Sequence, residues 1–554
     1  QFHHFYLQLV NCDIVSLAGV YSSLHSKMPG LLPTAKSMLL TSMLWAFSVT
    51  VVAQTPPNIV MLIIDDLGWN DHGVYASSDI PTTNFDALAK DGIVLTNYYT
   101  QTVCSPTRAS LISGRYPFRT GMQHETTLIP GTEAHLPQDT PTVAETLRDA
   151  GYVTAAIGKW HLGYAKFAYT PTGRGFDSYV GYLQGRVDYF NKTLADGYDF
   201  WSNQTVQRGD AEGNYSLGSY VKEYHRVVTT HKQSGSDAPF FLYLAHQTVH
   251  VPLEAARAAG ESRCDHITDH WRHVYCSMIV EVDDSIGDLV TLLKDNEYWN
   301  NTVILATTDN GGMTDWSEDA AGKPNFPASM GSNYPLRGGK TTMFEGGVRG
   351  TAFIAGGLLP QAVRGTQWDS LMHAVDLPTT AIGLAGATAP SNVDGLDFSK
   401  AVLDSAAEPP ATAHTFVPIN VIDNATGYSA LRFGQDLKLI IGNGTMLAVT
   451  DGYWAPGNHT PTPPPPSSGV PGVLLFNVTA DPTERHDLAA QHPELVQAGK
   501  DILASIVTGG DCRVTAKRSS SKSTPDNARW SVGTVFGVTP CPTQERVVGM
   551  RRRI

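Results

Sequence analysis

The residues that invite a chemical reading begin at Cys104, in the run Cys104-Ser105-Pro106-Thr107-Arg108 that continues to Ser113-Gly114-Arg115. Pro106 presets the backbone for a first helical turn, so the stretch from Thr107 onward is expected to be a helix whose N-terminus points at the thiol. Backbone N–H groups gathered at such a point favour anions and depress a thiol pKa. A lone cysteine at a helix start is ordinarily a structural residue. Other groups able to move protons or carry charge recur at four places: Asp65-Asp66, Lys159 with His161, His246 with His250, and Asp309-Asn310.

Each of those places follows an apolar, β-rich run. The runs are Asn58 to Ile64, Tyr152 to Ile157, Pro239 to Ala245 and Thr302 to Thr307. Amphipathic stretches such as Thr142 to Ala150 and Met278 to Lys294 alternate with them. This alternation predicts an α/β fold, a mostly parallel sheet covered by helices on both faces. Ligands of open α/β sheets bind outside the carboxyl ends of the strands, so four chemically loaded strand ends predict one site.

After about residue 412 the pattern changes. Ala430 to Ile441 reads as paired short strands around Gly434, and Glu494 to Ile506 as a helix, together a smaller α+β domain. Prolines between Pro456 and Pro471 forbid regular structure and predict an exposed loop, and the residues through Arg551 to Arg553 read as a tail. The expected division is an N-terminal extension with signal peptide over 1–53, a catalytic domain over 54–412 and a smaller domain over 413–554.

The segment Met38 to Ala53 follows Lys36, is apolar, and carries Val51 and Ala53 where a signal peptidase prefers small residues. Thr41, Ser42, Ser48 and Thr50 interrupt it, and a membrane span needs about 20 apolar residues, so it reads as a signal peptide. Residues 1–37, which begin with Gln, read as an upstream extension. Export implies disulfides and surface sequons. Sequons begin at Asn191, Asn203, Asn214, Asn300, Asn424, Asn443, Asn458 and Asn477. Beyond the signal stand Cys104, Cys264, Cys276, Cys512 and Cys541, an odd number. If Cys264 pairs with Cys276 and Cys512 with Cys541, Cys104 is left over and needs a chemical explanation. With 39 Lys and Arg against 52 Asp and Glu, the net charge of -13 disfavours nucleic-acid binding and assigns any anion recognition to a local basic pocket.

The Cys104–Arg108 run with Ser113-Gly114-Arg115 resembles the signature of type I sulfatases, whose C-x-P-x-R cysteine is converted to formylglycine. The resemblance extends through Gly158-Lys159-Trp160-His161-Leu162-Gly163, Arg174-Gly175-Phe176-Asp177, Asp309-Asn310-Gly311-Gly312, Leu336 to Lys340 and Glu345 to Gly350. It reaches Leu475-Phe476-Asn477 and Asp481-Pro482-Thr483-Glu484, so it covers about Asn58 to Leu488, and it is most similar to the arylsulfatase B (N-acetylgalactosamine-4-sulfatase) group.

What the resemblance implies is an alkaline-phosphatase-like sulfatase fold, one calcium ion and a formylglycine made from Cys104 by a formylglycine-generating enzyme. Asp65, Asp66, Asp309 and the amide oxygen of Asn310 form an oxygen set suited to a hard cation, with the modified Cys104 as a further ligand. Arg108 would steady the hydrated formylglycine, Lys159 and Lys340 would bind sulfate oxygens, His250 would protonate the leaving alcohol, and His161 would take a proton from the second hydroxyl of the gem-diol. The first hydroxyl attacks sulfur and expels the alcohol; the second collapses to the aldehyde and ejects sulfate by breaking the carbon–oxygen bond. The expected substrate is a sulfated sugar, a glycosaminoglycan or an aryl sulfate, and the expected location lysosomal or extracellular. Competing readings are a phosphonate monoester or phosphodiester hydrolase of the same superfamily and a non-catalytic binder of sulfated glycans. Cys104, Arg108, His161, Asp309 and Lys340 all being present speaks against the last.

Overall fold

The structure, a computed structural model, describes residues 55–508 except 76–77, 124–127, 129, 195–196, 210, 257–261, 315–328, 405–413, 422–427 and 443–471, and beyond these only 513–514 and 539–540. The segment read as a signal peptide, the proline-rich loop, the basic tail, Cys512, Cys541, Asn424, Asn443 and Asn458 lie outside the described residues. The fold described below belongs to one compact unit, Pro56–Ile554.

Ten strands form the main sheet: β1 (Asn58–Ile64), β2 (Ile93–Leu95), β3 (Val153–Lys159), β4 (Ser178–Tyr182), β5 (Trp201–Ser202), β6 (Thr205–Val206), β7 (Phe240–Ala245), β8 (Thr302–Thr308), β9 (Ala352–Ala355) and β10 (Thr366–Trp368). Their order is β10-β2-β9-β8-β1-β7-β3-β4-β5-β6. The central five, β8-β1-β7-β3-β4, run parallel, and β9 is antiparallel to both its neighbours. The four runs with loaded ends are thus four adjacent strands, as one shared site requires.

Strand β1 shows why continuous apolar sequence is needed here. Val60, Leu62 and Ile64 pack on one face with Tyr224, Val228, Met278 and Leu289. Ile59, Met61 and Ile63 pack on the other with Leu111, Ile112, Leu147 and Leu377. A strand covered on both sides cannot alternate apolar with polar residues. The helices involved are α1 (Cys104–Ser113), α2 (Val143–Asp149), α3 (Ser216–Ser234), α4 (His270–Asp295) and α5 (Asp376–Leu384). Thr142 and Glu145 close α2 with a capping box, each side chain bonding the other's backbone N–H. Helix α4 begins eight residues before the amphipathic stretch at Met278, because Asp269 caps it by accepting from Arg272 N at 2.8 Å.

The second sheet is antiparallel: β11 (Phe416–Asn420), β12 (Ser429–Phe433), β13 (Leu437–Ile441) and β14 (Val473–Asn477). Gly434, with φ 58°, opens the turn between β12 and β13. Helix α6 (Pro493–Thr508) packs Val496 and Leu503 against Leu431, Leu439 and Leu475, and the same cluster takes in Tyr99, Phe344 and Val348 from the larger part. Cys264 and Cys276 form a disulfide. Asn191, Asn203, Asn214 and Asn300 are exposed and Asn477 half-buried. No helix among the described residues is long and apolar enough to cross a membrane.

Candidate active site

Asp65 and Asp66 follow β1, Lys159 ends β3, His250 follows β7, and Asp309 and Asn310 follow β8. Helix α1 brings Cys104 and Arg108 to these ends, and the segment before Glu345 brings Lys340. The Cys104 thiol lies 3.6 Å from Asp65 Oδ1 and 3.4 Å from Lys340 Nζ. Lys159 Nζ donates to Asp65 Oδ2 at 2.6 Å, and Lys340 Nζ to the two Asp66 oxygens at 2.6 and 2.7 Å. Arg108 grips Asp309 Oδ2 through Nε at 3.0 Å and Nη2 at 2.8 Å, and donates through Nη1 to the Lys159 carbonyl at 3.3 Å. Three carboxylates and three cations are therefore interleaved around one thiol, almost entirely out of water.

The helix start at Cys104 was expected to depress the thiol pKa, and the structure corrects this. Burial pushes the Cys104 thiol up to about 12, and the neighbouring Asp309 and Asp65 carboxylates add to the rise although Lys159 and Lys340 oppose it. A buried thiolate among carboxylates loses more hydration than one helix end restores. As an unmodified side chain, Cys104 is a poor nucleophile.

Burial, then repulsion from Asp309, raises the Asp65 carboxyl far above its usual range. Against the same burial, Arg108 and the two lysines hold Asp309 below its usual value, and Lys340 with His250 does so for Asp66. The crowding is what a bound cation would relieve. Ligand atoms of Asp65, Asp66, Cys104 and His250 lie within 4.8 Å of one another. Asp309 adjoins them by accepting from Asp66 N at 3.2 Å. The amide oxygen of Asn310 is buried and without a hydrogen-bond partner, while its Nδ2 donates to Asp66 Oδ1 at 2.7 Å. An oxygen-rich set with one orphaned carbonyl oxygen fits a hard divalent cation better than a soft one.

The two histidines differ in setting. His161 is tied to α1 through its carbonyl, which accepts from Ser105 Oγ at 3.1 Å. Its Nε2 lies 3.2 Å from the Leu128 carbonyl and its Nδ1 is buried with no partner. Donation from Nε2 leaves Nδ1 as a free base. Burial, with Lys159 and Arg108 nearby, keeps the ring neutral. His250 donates from Nδ1 toward the Val251 carbonyl at 2.9 Å, leaving Nε2 3.8 Å from Asp66 Oδ2. Asp66 and His161 both adopt left-handed backbone, φ 59° and 57°, a strain of about 1–3 kcal/mol each that the packing around them must hold. His246 is buried with neither ring nitrogen bonded, its ring beside Tyr220.

Sequence reasoning missed Asn333. Its side chain clasps Gly312, Oδ1 accepting from Gly312 N and Nδ2 donating to Gly312 O, both at 2.9 Å. Gly312 O in turn accepts from Lys340 N at 3.1 Å. The motif glycines follow from this stacking: a Cβ on Gly311 would sit 1.7 Å from the Gly346 carbonyl oxygen. A single Asn between motifs carries no sequence signal of its own.

A two-face α/β sheet that gathers buried carboxylates, two lysines and a cysteine at one helix start has the alkaline-phosphatase-like architecture, with a cluster able to hold a metal ion. The chain belongs to the sulfatase family: the family model described as Sulfatase matches residues 57–387. It is 32% identical over 465 residues to arylsulfatase J of Mus musculus, spanning 80% of this chain and 74% of that one. Human arylsulfatase A is 30% identical over 85% of this chain and 93% of its own. N-acetylgalactosamine-6-sulfatase of Sus scrofa is 34% identical over 63% and 67%. Among solved structures, Ps i-CgsB in complex with k-i-k-neocarrahexaose superposes with a TM-score of 0.65 at 27% identity, covering 81% of this chain and 92% of that one. The PsFucS1 sulfatase from Pseudoalteromonas sp. gives 0.64 at 25% identity, covering 87% and 95%. The chain is accordingly a sulfuric ester hydrolase, of a family that works with formylglycine and a metal. The relatives are arylsulfatases and a hexosamine sulfatase, and they do not single out the arylsulfatase B group.

Proposed function

We propose that this enzyme is an exported, calcium-dependent sulfatase acting on sulfated sugars, with its catalytic part over 54–412 and a smaller C-terminal domain over 413–554. The observation that carries the site assignment is the convergence of Cys104, Arg108, Lys159, His250, Lys340 and the Asp65, Asp66, Asp309, Asn310 oxygens at the ends of four adjacent strands. The names of the relatives support a sugar sulfate, as does the oligosaccharide bound to Ps i-CgsB. Sequons on the surface and a disulfide between Cys264 and Cys276 support export.

Conversion of Cys104 by a formylglycine-generating enzyme would give an aldehyde, and addition of one water to it two geminal hydroxyls on one carbon, one to accept the sulfuryl group and one to expel it. A calcium ion held by Asp65, Asp66, Asp309 and Asn310 supplies Lewis acidity at that point. The remaining work falls to the chain. Lys159 and Lys340 exchange their carboxylate partners for sulfate oxygens and neutralise charge as it shifts onto them, a contribution of about 10²–10³ in rate for one such donor. Arg108, held by Asp309, stays beside position 104 and fixes its hydroxyls. His161, neutral with Nδ1 free, takes the proton of the second hydroxyl. His250 gives a proton to the departing alcohol, worth roughly 10²–10⁴. Burial and Lys340 hold His250 neutral in the free site, so its proton is drawn in with the anionic substrate.

A peptide mass spectrum covering Cys104 tests this reading. An aldehyde in place of the thiol is expected in protein from a host able to convert it. An unmodified thiol in fully active enzyme would overturn it.

A further inference from the structure

Beside the His161 edge of the site is a cavity of about 230 Å³ that the hydrolysis itself does not use. Its walls come from the segment after β3, from the segment after β4, and from the start of β5. Because β5 runs antiparallel to β4, its start lies at the carboxyl end of β4, the same end of the sheet as the reacting groups. The link to the site is close. Leu183 O accepts from His161 N at 3.1 Å, and Gly185, next to the lining residue Gln184, lies so near His161 that a Cβ there would be 2.8 Å from the ring.

The lining has the composition of a sugar site: aromatic faces with a small number of fixed polar groups. Tyr164, Phe167, Tyr198 and Trp201 supply the faces, and Phe167 is 52% exposed, one of few large apolar side chains so placed among the described residues. Asp199 builds the frame. Its carboxylate accepts from Leu183 N at 3.1 Å, Gln184 N at 2.9 Å and Trp201 Nε1 at 2.7 Å, which fixes the indole and the Gln184 backbone. The Gln184 amide oxygen is buried with no hydrogen-bond partner, and an unsatisfied acceptor of that kind costs about 1–3 kcal/mol unless a ligand or water supplies a donor.

We propose that this cavity is a second sugar subsite, binding the pyranose ring linked to the one that carries the scissile sulfate. The ring's C–H face packs on Trp201 and a ring hydroxyl donates to the Gln184 oxygen. The assignment rests on the sulfated-sugar reading above and deepens it: the enzyme selects an oligosaccharide over a lone sulfated ring.

The test compares kcat/KM for an aryl sulfate, a sulfated hexosamine or galactose monosaccharide, and an oligosaccharide bearing the same sulfated ring at its end. Wild type is expected to favour the oligosaccharide over the monosaccharide. Trp201→Ala and Gln184→Ala are expected to lower the oligosaccharide-to-aryl-sulfate ratio about tenfold, mainly through KM, the scale of one lost stacking contact. Trp201→Phe should restore part of that ratio. Equal losses on aryl sulfate and oligosaccharide would mean that these residues only support His161, and would overturn the subsite. Wild type that turns over the monosaccharide with no gain on the oligosaccharide would overturn the subsite alone. Turnover of aryl sulfate with none of any sulfated sugar would overturn the sugar reading and the subsite with it.

Discussion

Lys340 Nζ sits 2.6 Å from Asp66 Oδ1 and 3.4 Å from Cys104 Sγ, so one ammonium group touches both a carboxylate of the proposed cation site and the residue proposed to become the nucleophile. The Asp66 carboxylate therefore already has one positive partner, and whatever anion enters must share it. Attraction to substrate and attraction to the site's own carboxylates are in direct competition, and a divalent cation on Asp65 and Asp66 would free the lysines for sulfate.

Removing calcium with a chelator should abolish sulfatase activity, and Asp65→Ala or Asp309→Ala should do the same with the chain still folded. The measurement is turnover of an aryl sulfate alongside the thermal midpoint. Full activity in a metal-free preparation that keeps its aldehyde would show the metal assignment to be wrong.

His250→Ala should slow sugar sulfates by roughly 10²–10⁴ and aryl sulfates with good leaving groups far less, because only a poor leaving alcohol needs the proton. Comparing kcat on the two substrate types checks it. Equal losses would remove His250 from the acid role.

Cys104→Ser in a converting host should stop after at most one slow turnover. Serine has a single hydroxyl, so a sulfate ester formed on it has no second hydroxyl to expel it. Covalent sulfate at position 104, read by mass spectrometry, is the expected product, with folding close to wild type because the exchange is small. Steady turnover at the wild-type rate would sink the two-hydroxyl mechanism.

Behind the Lys340 segment, the two parts of the chain meet through buried charge. Lys438 Nζ lies 3.0 Å from Glu345 Oε1 and 3.0 Å from Glu484 Oε1, and Glu345 N donates to Glu484 Oε2 at 2.6 Å. Burial, and then Glu345, raises Glu484 from 4.5 to about 7 although Lys438 opposes the rise. Between those values the folded chain keeps a proton that the unfolded chain has released, so this group makes stability fall as pH rises from about 4.5 to 7. Glu484→Gln should flatten that slope in thermal midpoints measured across the window. Glu484→Ala should cost about 1–3 kcal/mol by leaving the Glu345 N–H unpaired. An unchanged slope in the Gln variant would disprove the assignment.

The sheet was legible because its strands are buried on both faces: a run such as Asn58–Ile64 has to be apolar throughout, and the polar residues that follow then mark its carboxyl end. The helix at Cys104 and the hairpin at Gly434 were readable for similar reasons, since each depends on neighbours in the chain, whereas the Cys264–Cys276 pairing was open in the sequence and the fold decided it. Residue types and local spacing thus determined the elements and marked Cys104 and the polar strand ends at Asp65-Asp66, Lys159 with His161, His246 with His250 and Asp309-Asn310, while resemblance to the sulfatases assigned their roles and added Arg108 and Lys340. The tertiary structure decided what depends on distance across the fold. It set the thiol pKa, which burial raises where the helix start alone predicted a fall. It brought Asn333 onto Gly312 and joined Glu484 to Lys438, and it set Gln184 and Trp201 around a cavity beside His161. Dehydration and hydrogen bonds between residues far apart in sequence leave no local pattern, so only the folded chain displays them.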